Sequence, residues 1–146
     1  MSWQVLRAQV TEVLQGITNI AEVSSSPKLN FNSYPAVTVT PATNGSAYQT
    51  QGDNERTYAF DVSLFYETKI STIEVAIGIL DGIVDEVIDK FDEENDSQTR
   101  TIGQDLPANS IFLDVRVLKG EWNEVPGEQL LLVPIIIQIR LLVDIS

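Results

Sequence analysis

Residues 130–145 read Leu130-Leu131-Leu132-Val133-Pro134-Ile135-Ile136-Ile137-Gln138-Ile139-Arg140-Leu141-Leu142-Val143-Asp144-Ile145. Every odd position from Leu131 to Ile145 is aliphatic, which is the period-2 signature of a strand with one face wholly buried. The run is roughly twice the usual strand length, so it is expected to be the spine of a sheet. Its even positions include Gln138, Arg140 and Asp144, and a one-residue slip of register would bury all three. Leu130, Leu132, Ile136 and Leu142 share that even face, giving it more apolar surface than water should meet. The strand reaches almost to the last residue, so nothing further is expected after it.

Working outward, Ile111, Leu113, Val115 and Val117 alternate into a preceding strand. The Lys119–Gln129 connection is too short for a parallel crossover, so the last two strands should form an antiparallel hairpin. Trp122 and Val125 lie in that connection. Trp122 is either folded over its own sheet edge or presented as an anchor to a partner. Before these, Thr72 to Phe91 reads as the strongest helix: Ile73, Ile77, Leu80, Val84, Val87, Ile88 and Phe91 recur at helical spacing, and Ser71 with Glu74 fits a capping box. Gly78 and Gly82 fall inside it at i and i+4, where they would permit close helix packing.

Tyr58, Phe60, Val62, Leu64 and Tyr66 alternate into another strand. Pro35-Ala36-Val37-Thr38-Val39-Thr40-Pro41 is a short β-branched strand whose prolines mark an edge or a terminus. Trp3, Leu6, Val10, Val13, Leu14 and Ile17 form one stripe of an N-terminal helix ending near Gly16, with a polar connection at Ser24–Pro27. The order α-β-β-α-β-β predicts one α+β domain over 1–146. It is a two-layer sandwich, with two helices packed on one face of a mainly antiparallel four-stranded sheet. Between the two early strands, Ala42 to Glu55 (ATNGSAYQTQGDNE) has no aliphatic side chain larger than alanine. It reads as a flexible hairpin arm, either a mobile tip or a segment that orders against another subunit.

Composition removes much chemistry. With 146 residues and 43% hydrophobic content the chain can bury a core without staples. It has no cysteine and no histidine, hence no thiolate, no Cys-based zinc site and no imidazole base. A net charge of −12 disfavours binding to phosphate backbones. The first residues lack a signal-peptide pattern, and the Leu130–Ile137 run is too short for a membrane helix, so a soluble cytoplasmic product is expected.

Much of the charge lies on the second helix, at Asp81, Asp85, Glu86 and Asp89, and on Asp92, Glu93, Glu94 and Asp96 after it. This block is a solvated face, or a negative surface that repels DNA or meets a basic partner. Laid on a calcium-binding EF-hand loop from Asp92, the turn glycine falls on Ser97 and the bidentate acid on Gly103, so the template fails. Asp61 and Asp114 sit mid-strand on the side opposite their apolar neighbours. Exposure or an intersubunit ion pair is expected for them rather than catalysis. No phosphate loop is present, and no catalytic, cofactor or metal residue is expected.

The N-terminal helix, the Phe31-Asn32-Ser33-Tyr34-Pro35-Ala36-Val37-Thr38-Val39 strand, the Arg56-Thr57-Tyr58-Ala59-Phe60-Asp61-Val62 strand, the acidic helix ending Val87-Ile88-Asp89-Lys90-Phe91 and the closing strand ending Val143-Asp144-Ile145 form a pattern covering nearly the whole chain. In order and texture it resembles the tail terminator (tail completion, minor tail) proteins of long-tailed bacteriophages. The resemblance implies a structural virion protein of the tail and neck, assembled in the host cytoplasm and not an enzyme. It also implies a homo-oligomeric ring, a hexamer, that caps the tail tube protein, stops its polymerisation and docks a head-tail connector or head-closure protein, with DNA passing through without specific binding. Tyr48, Gln49, Asp53, Arg56, Trp122, Val125 and Arg140 are then expected at subunit or tube contacts, and Asp81, Asp85, Asp89 and Asp92 on a channel or tube face. Another neck component, such as a head-closure or head-tail joining protein, is the alternative. A small acidic cation-binding protein or enzyme is the alternative from a different class.

Overall fold

The computed structural model describes residues 2–25, 31–41, 55–68, 72–96, 100–104, 106, 110–125 and 127–143. In chain order the elements are α1 (Ser2–Gln15), β1 (Glu22–Ser24), β2 (Ala36–Pro41), β3 (Glu55–Glu67), α2 (Ile73–Glu93), β4 (Ser110–Lys119), β5 (Asn123–Val125) and β6 (Leu130–Val143). The fold is α+β, with two helices and an open six-stranded sheet ordered β1-β2-β3-β6-β4, β5 pairing with β6. The expected count of four strands is therefore corrected to six, and the sheet is mixed, because β1 runs parallel to β2. Both additional strands are three residues long and cannot display a period-2 pattern, which is why the sequence hid them.

β6 is the spine. One edge pairs with β3 without interruption from Leu130 opposite Glu67 to Leu142 opposite Glu55. The other edge is served in succession, by β5 over Leu130–Leu132 and by β4 over Ile135–Val143. Pro134 falls in the gap between them. Its carbonyl accepts from the Gly120 amide at 2.8 Å, so the side on which proline lacks a donor is the interrupted one and the β3 ladder loses nothing. The predicted hairpin is thus antiparallel as expected, but β5 lies inside what was read as its connection.

Leu131, Val133, Ile135, Ile137, Ile139 and Leu141 are at most 1% exposed, each burial worth about 1.5–3 kcal/mol. Against them and against Tyr58, Phe60, Val62 and Leu64 of β3 pack Leu6, Val10, Val13 and Leu14 of α1 and Ala76, Leu80, Ile83, Val84, Val87 and Phe91 of α2, in one buried cluster. Trp3 closes its end with edge-on contacts to Tyr58 (4.7 Å) and Phe60 (5.3 Å). Val143 and Ile145, the last two odd positions, lie outside what the structure describes at side-chain level.

Three local expectations are corrected. The helix cap is Thr72, whose hydroxyl accepts from the Val75 amide at 3.2 Å. Glu74 is consequently one position early for a reciprocal box, and Ser71 lies outside the described residues. Gly78 and Gly82 do not serve close helix packing, because a Cβ at either would meet nothing within 4 Å. Ile111 and Leu113 do not continue the buried face of Val115 and Val117: the β4–β6 register shifts between Phe112 and Asp114. Leu113 is the unpaired extra residue of a bulge, which turns Phe112 toward the core and leaves Ile111 58% and Leu113 41% exposed.

Gly120 approaches β6 so closely that a Cβ would sit 2.8 Å from Pro134 Cγ and 3.2 Å from its carbonyl oxygen. Gly120→Ala is expected to destabilise by about 1–3 kcal/mol, and the double variant with Pro134→Ala to recover part of that loss in denaturant unfolding. Gly82→Ala, in contrast, should stabilise by about 0.5–1 kcal/mol, since the helix gains propensity at no steric cost.

Candidate functional site

The face of the sheet away from the helices divides into three zones. At the end near the β5–β6 turn it carries its own small core. Phe31, Ala36, Phe65 and Leu130 are buried there, with Tyr34, Val125 and Leu132 packed around them and the Phe31 and Phe65 rings 5.1 Å apart. Part of the apolar even face of β6 is therefore covered by the chain itself. Val125, expected at a subunit contact, is half-buried against this cluster.

The second zone is an ion triad across three strands. Arg140 on β6 donates from Nε to Asp114 Oδ1 on β4 at 2.7 Å, from Nη2 to Asp114 Oδ2, and from Nη1 to Glu55 Oε1 on β3. The bulge in β4 brings Asp114 directly opposite Arg140. The planar guanidinium then engages both carboxylate oxygens. Asp114 and Arg140 are thus partners within one chain, which corrects the expected exposure or intersubunit pairing of Asp114. The Arg140 hydrogen bond holds the Asp114 carboxyl below its ordinary value, outweighing the burial that opposes it.

The third zone is open. Leu118 (46% exposed) and Ile136 (37%) face each other in register, β4 is one of the edge strands of the sheet, and Trp122 is 44% exposed in the segment after it. Tyr48, Gln49 and Asp53 of the arm lie outside the described residues. Arg56 is half-buried near the start of β3.

On the opposite layer, Asp81, Asp85, Asp89 and Asp92 are all exposed along α2. Among the described residues, Asp81 alone of the four meets a cation from another element, Lys119 Nζ at 3.3 Å. Both partners are about half exposed, so the pair contributes little. The acidic run after α2 is not uniformly solvated. Glu94 is buried and accepts from the Thr101 and Ile102 amides at 2.8 Å each, while Asn95 brackets the Val115 backbone with one bond in each direction. Gln9 of α1 holds the same crossing by accepting from the Gly103 amide and donating to the Gln104 carbonyl. Residue type alone does not distinguish Glu94 from its exposed acidic neighbours, because its role depends on where the Thr101 and Ile102 amides lie. Among the described residues no group of three or more Asp or Glu side chains is placed to hold a metal ion.

A cleft of about 340 Å³ opens between α2 and the Tyr34–Pro35 segment, lined in part by Tyr34, Tyr66, Gly78, Gly82, Glu86 and Asn19. Sequence reading missed it. Its one signal in the sequence is the pair of helical glycines, Gly78 and Gly82.

No protein-family model and no curated protein matches the chain. Among solved structures it is similar to a chain of the "Virion of native gene transfer agent (GTA) particle", at 12% identity and a TM-score of 0.49, over 97% of this chain and 91% of that one. It is also similar to a second solved chain whose description names no activity, at 15% identity and a TM-score of 0.46, over 100% and 98% of the two chains. With identities this low and scores below 0.5, neither likeness fixes a function.

Asp114→Asn is expected to cost about 1–2 kcal/mol near pH 7, the value of a charged hydrogen bond discounted for partial exposure. The folded-state value of Asp114 lies below the unfolded one, so this contribution is complete above about pH 4 and is lost as pH falls through the lowered value. Unfolding free energies of wild type and variant should therefore converge as pH falls below the ordinary carboxylate value of about 4.

Proposed function

We propose that this chain is a structural virion subunit of the tail terminator kind. Copies of it form a ring, a hexamer, that caps the tail tube, halts tube polymerisation and offers the surface for a head-tail connector or head-closure protein. The observation that carries this reading is the uncovered Leu118–Ile136 pair beside the free β4 edge, on the layer opposite the acidic stripe of α2. A cyclic ring needs two different patches on each subunit, one fitting the other on the next copy. The apolar sheet face supplies one of them, and the aspartate stripe on the opposite layer is left to face the channel or the tube. The order and texture of the sequence elements support the same reading.

In this proposal the Ala42–Glu55 arm, with Tyr48, Gln49 and Asp53, and the Trp122 segment make contacts between subunits or to the tube. Arg56, Val125 and Arg140 support them from the sheet. Asp81, Asp85, Asp89 and Asp92 form a channel or tube face along which DNA passes without adhering, since like charges repel at short range.

Native mass measurement of the purified chain should give a multiple of 16.2 kDa, and Leu118→Asp should return it to the single-subunit mass with unchanged circular dichroism. Deleting Tyr48 to Asp53 should weaken the ring and leave subunit folding intact. Mixed with polymerising tube protein, the wild-type ring should shorten and cap the tubes. A solitary subunit, or tubes of unaltered length, would overturn the reading.

A further inference from the structure

The cleft beside α2 belongs neither to the apolar sheet face nor to the aspartate stripe. Two aromatic rings line it, Tyr34 and Tyr66, together with the Glu86 carboxylate, whose Oε1 accepts from Asn19 Nδ2 and is thereby held in place. Gly78 and Gly82 line it too. With nothing within 4 Å of where their Cβ atoms would stand, they leave the helix surface bare toward the cleft.

The surroundings are negative. Burial raises the Tyr34 hydroxyl above its ordinary value against a backbone hydrogen bond at Phe31, and the carboxylates Glu67, Glu22 and Glu128 act in the same direction as burial. Among the described lining residues there is no lysine or arginine. A phosphate or carboxylate ligand would meet repulsion here, and a purely aliphatic one would strand Glu86, Asn19 and the tyrosine hydroxyls without water.

We infer that this cleft is a docking site for an arginine side chain carried on an extended segment of a partner protein. A guanidinium can stack on a tyrosine face while its planar fork engages the Glu86 carboxylate. The glycine pair lets the partner's main chain lie against α2 without side-chain obstruction. At about 340 Å³ the cavity is near the small end of ligand pockets, which suits one side chain rather than a cofactor. The assignment is independent of ring formation.

The test uses the full chain and a fluorescently labelled peptide, acetyl-Gly-Gly-Arg-Gly-Gly-amide, beside its citrulline counterpart, which keeps the shape and loses the charge. Anisotropy is read at roughly 0.15 M salt to screen the general attraction of an acidic protein. The arginine peptide should bind at least tenfold more tightly than the citrulline one. Glu86→Gln and Gly82→Leu should each weaken it at least tenfold, and Asp85→Asn, on the same helix but outside the cleft, should change it less than twofold. Tyr66→Leu should also weaken binding, which gives a second readout if Gly82→Leu fails to fold. Equal binding of the two peptides, no binding at all, or equal losses from Glu86→Gln and Asp85→Asn would overturn the assignment. So would a Gly82→Leu variant that abolishes self-association but leaves peptide binding unchanged, since a second copy would then be the occupant.

Discussion

The fold depends on a single constraint: β6 must be paired on both edges while burying one whole face. β3 satisfies one edge along its full length, and β4 and β5 share the other. A proline in a central strand would ordinarily break the ladder. Here it stands where one partner ends and the next begins, and Gly120 supplies the close approach that the junction requires. With the register so fixed, the odd residues of β6 have no alternative to the helix layer.

The bulge at Leu113 then decides the chemistry of the other face. One extra residue carries Ile111 outward, turns Phe112 inward and sets Asp114 against Arg140. A strand of uniform alternation would have given a buried Ile111 and a sheet face without that triad. Glu55, the first residue of β3, is tied to the same guanidinium, so the start of β3 is joined to the two strands beyond. The small core around Phe31 and Phe65 shields the opposite end. Among the described residues of this face, the large apolar side chains left exposed lie on the β4 side, opposite a helix layer that carries the aspartates.

How far the site was legible follows from the range of the interactions that build it. The aspartates of α2 were readable because helical spacing is a local property. That the even face of β6 holds too much apolar surface was also readable, but which part stays uncovered depends on Phe31, which meets Phe65 of β3, and on Val125, which pairs with Leu130 through the short β5 strand. Glu94 looked like one more acid in a charged run. Its role as an acceptor for two amides follows only once the chain turns back at Thr101 and Ile102. The cleft is a property of the space between α2 and the Tyr34–Pro35 segment, and no single stretch of sequence encodes it.

By itself, the sequence determined the two helices, the four long strands, their order and most of the buried positions of α1, α2, β3 and β6, because a side chain's direction repeats every 2 or 3.6 residues and can be read within one element. Ile73, at the head of the expected α2 stripe, is nevertheless exposed. Only the tertiary structure decided the two short strands, the phase shift in β4, the position of Pro134 in its gap, the Arg140 triad and the inward turn of Glu94. Each of these is settled by a partner in another element or turn, and such contacts leave no periodic trace in the chain.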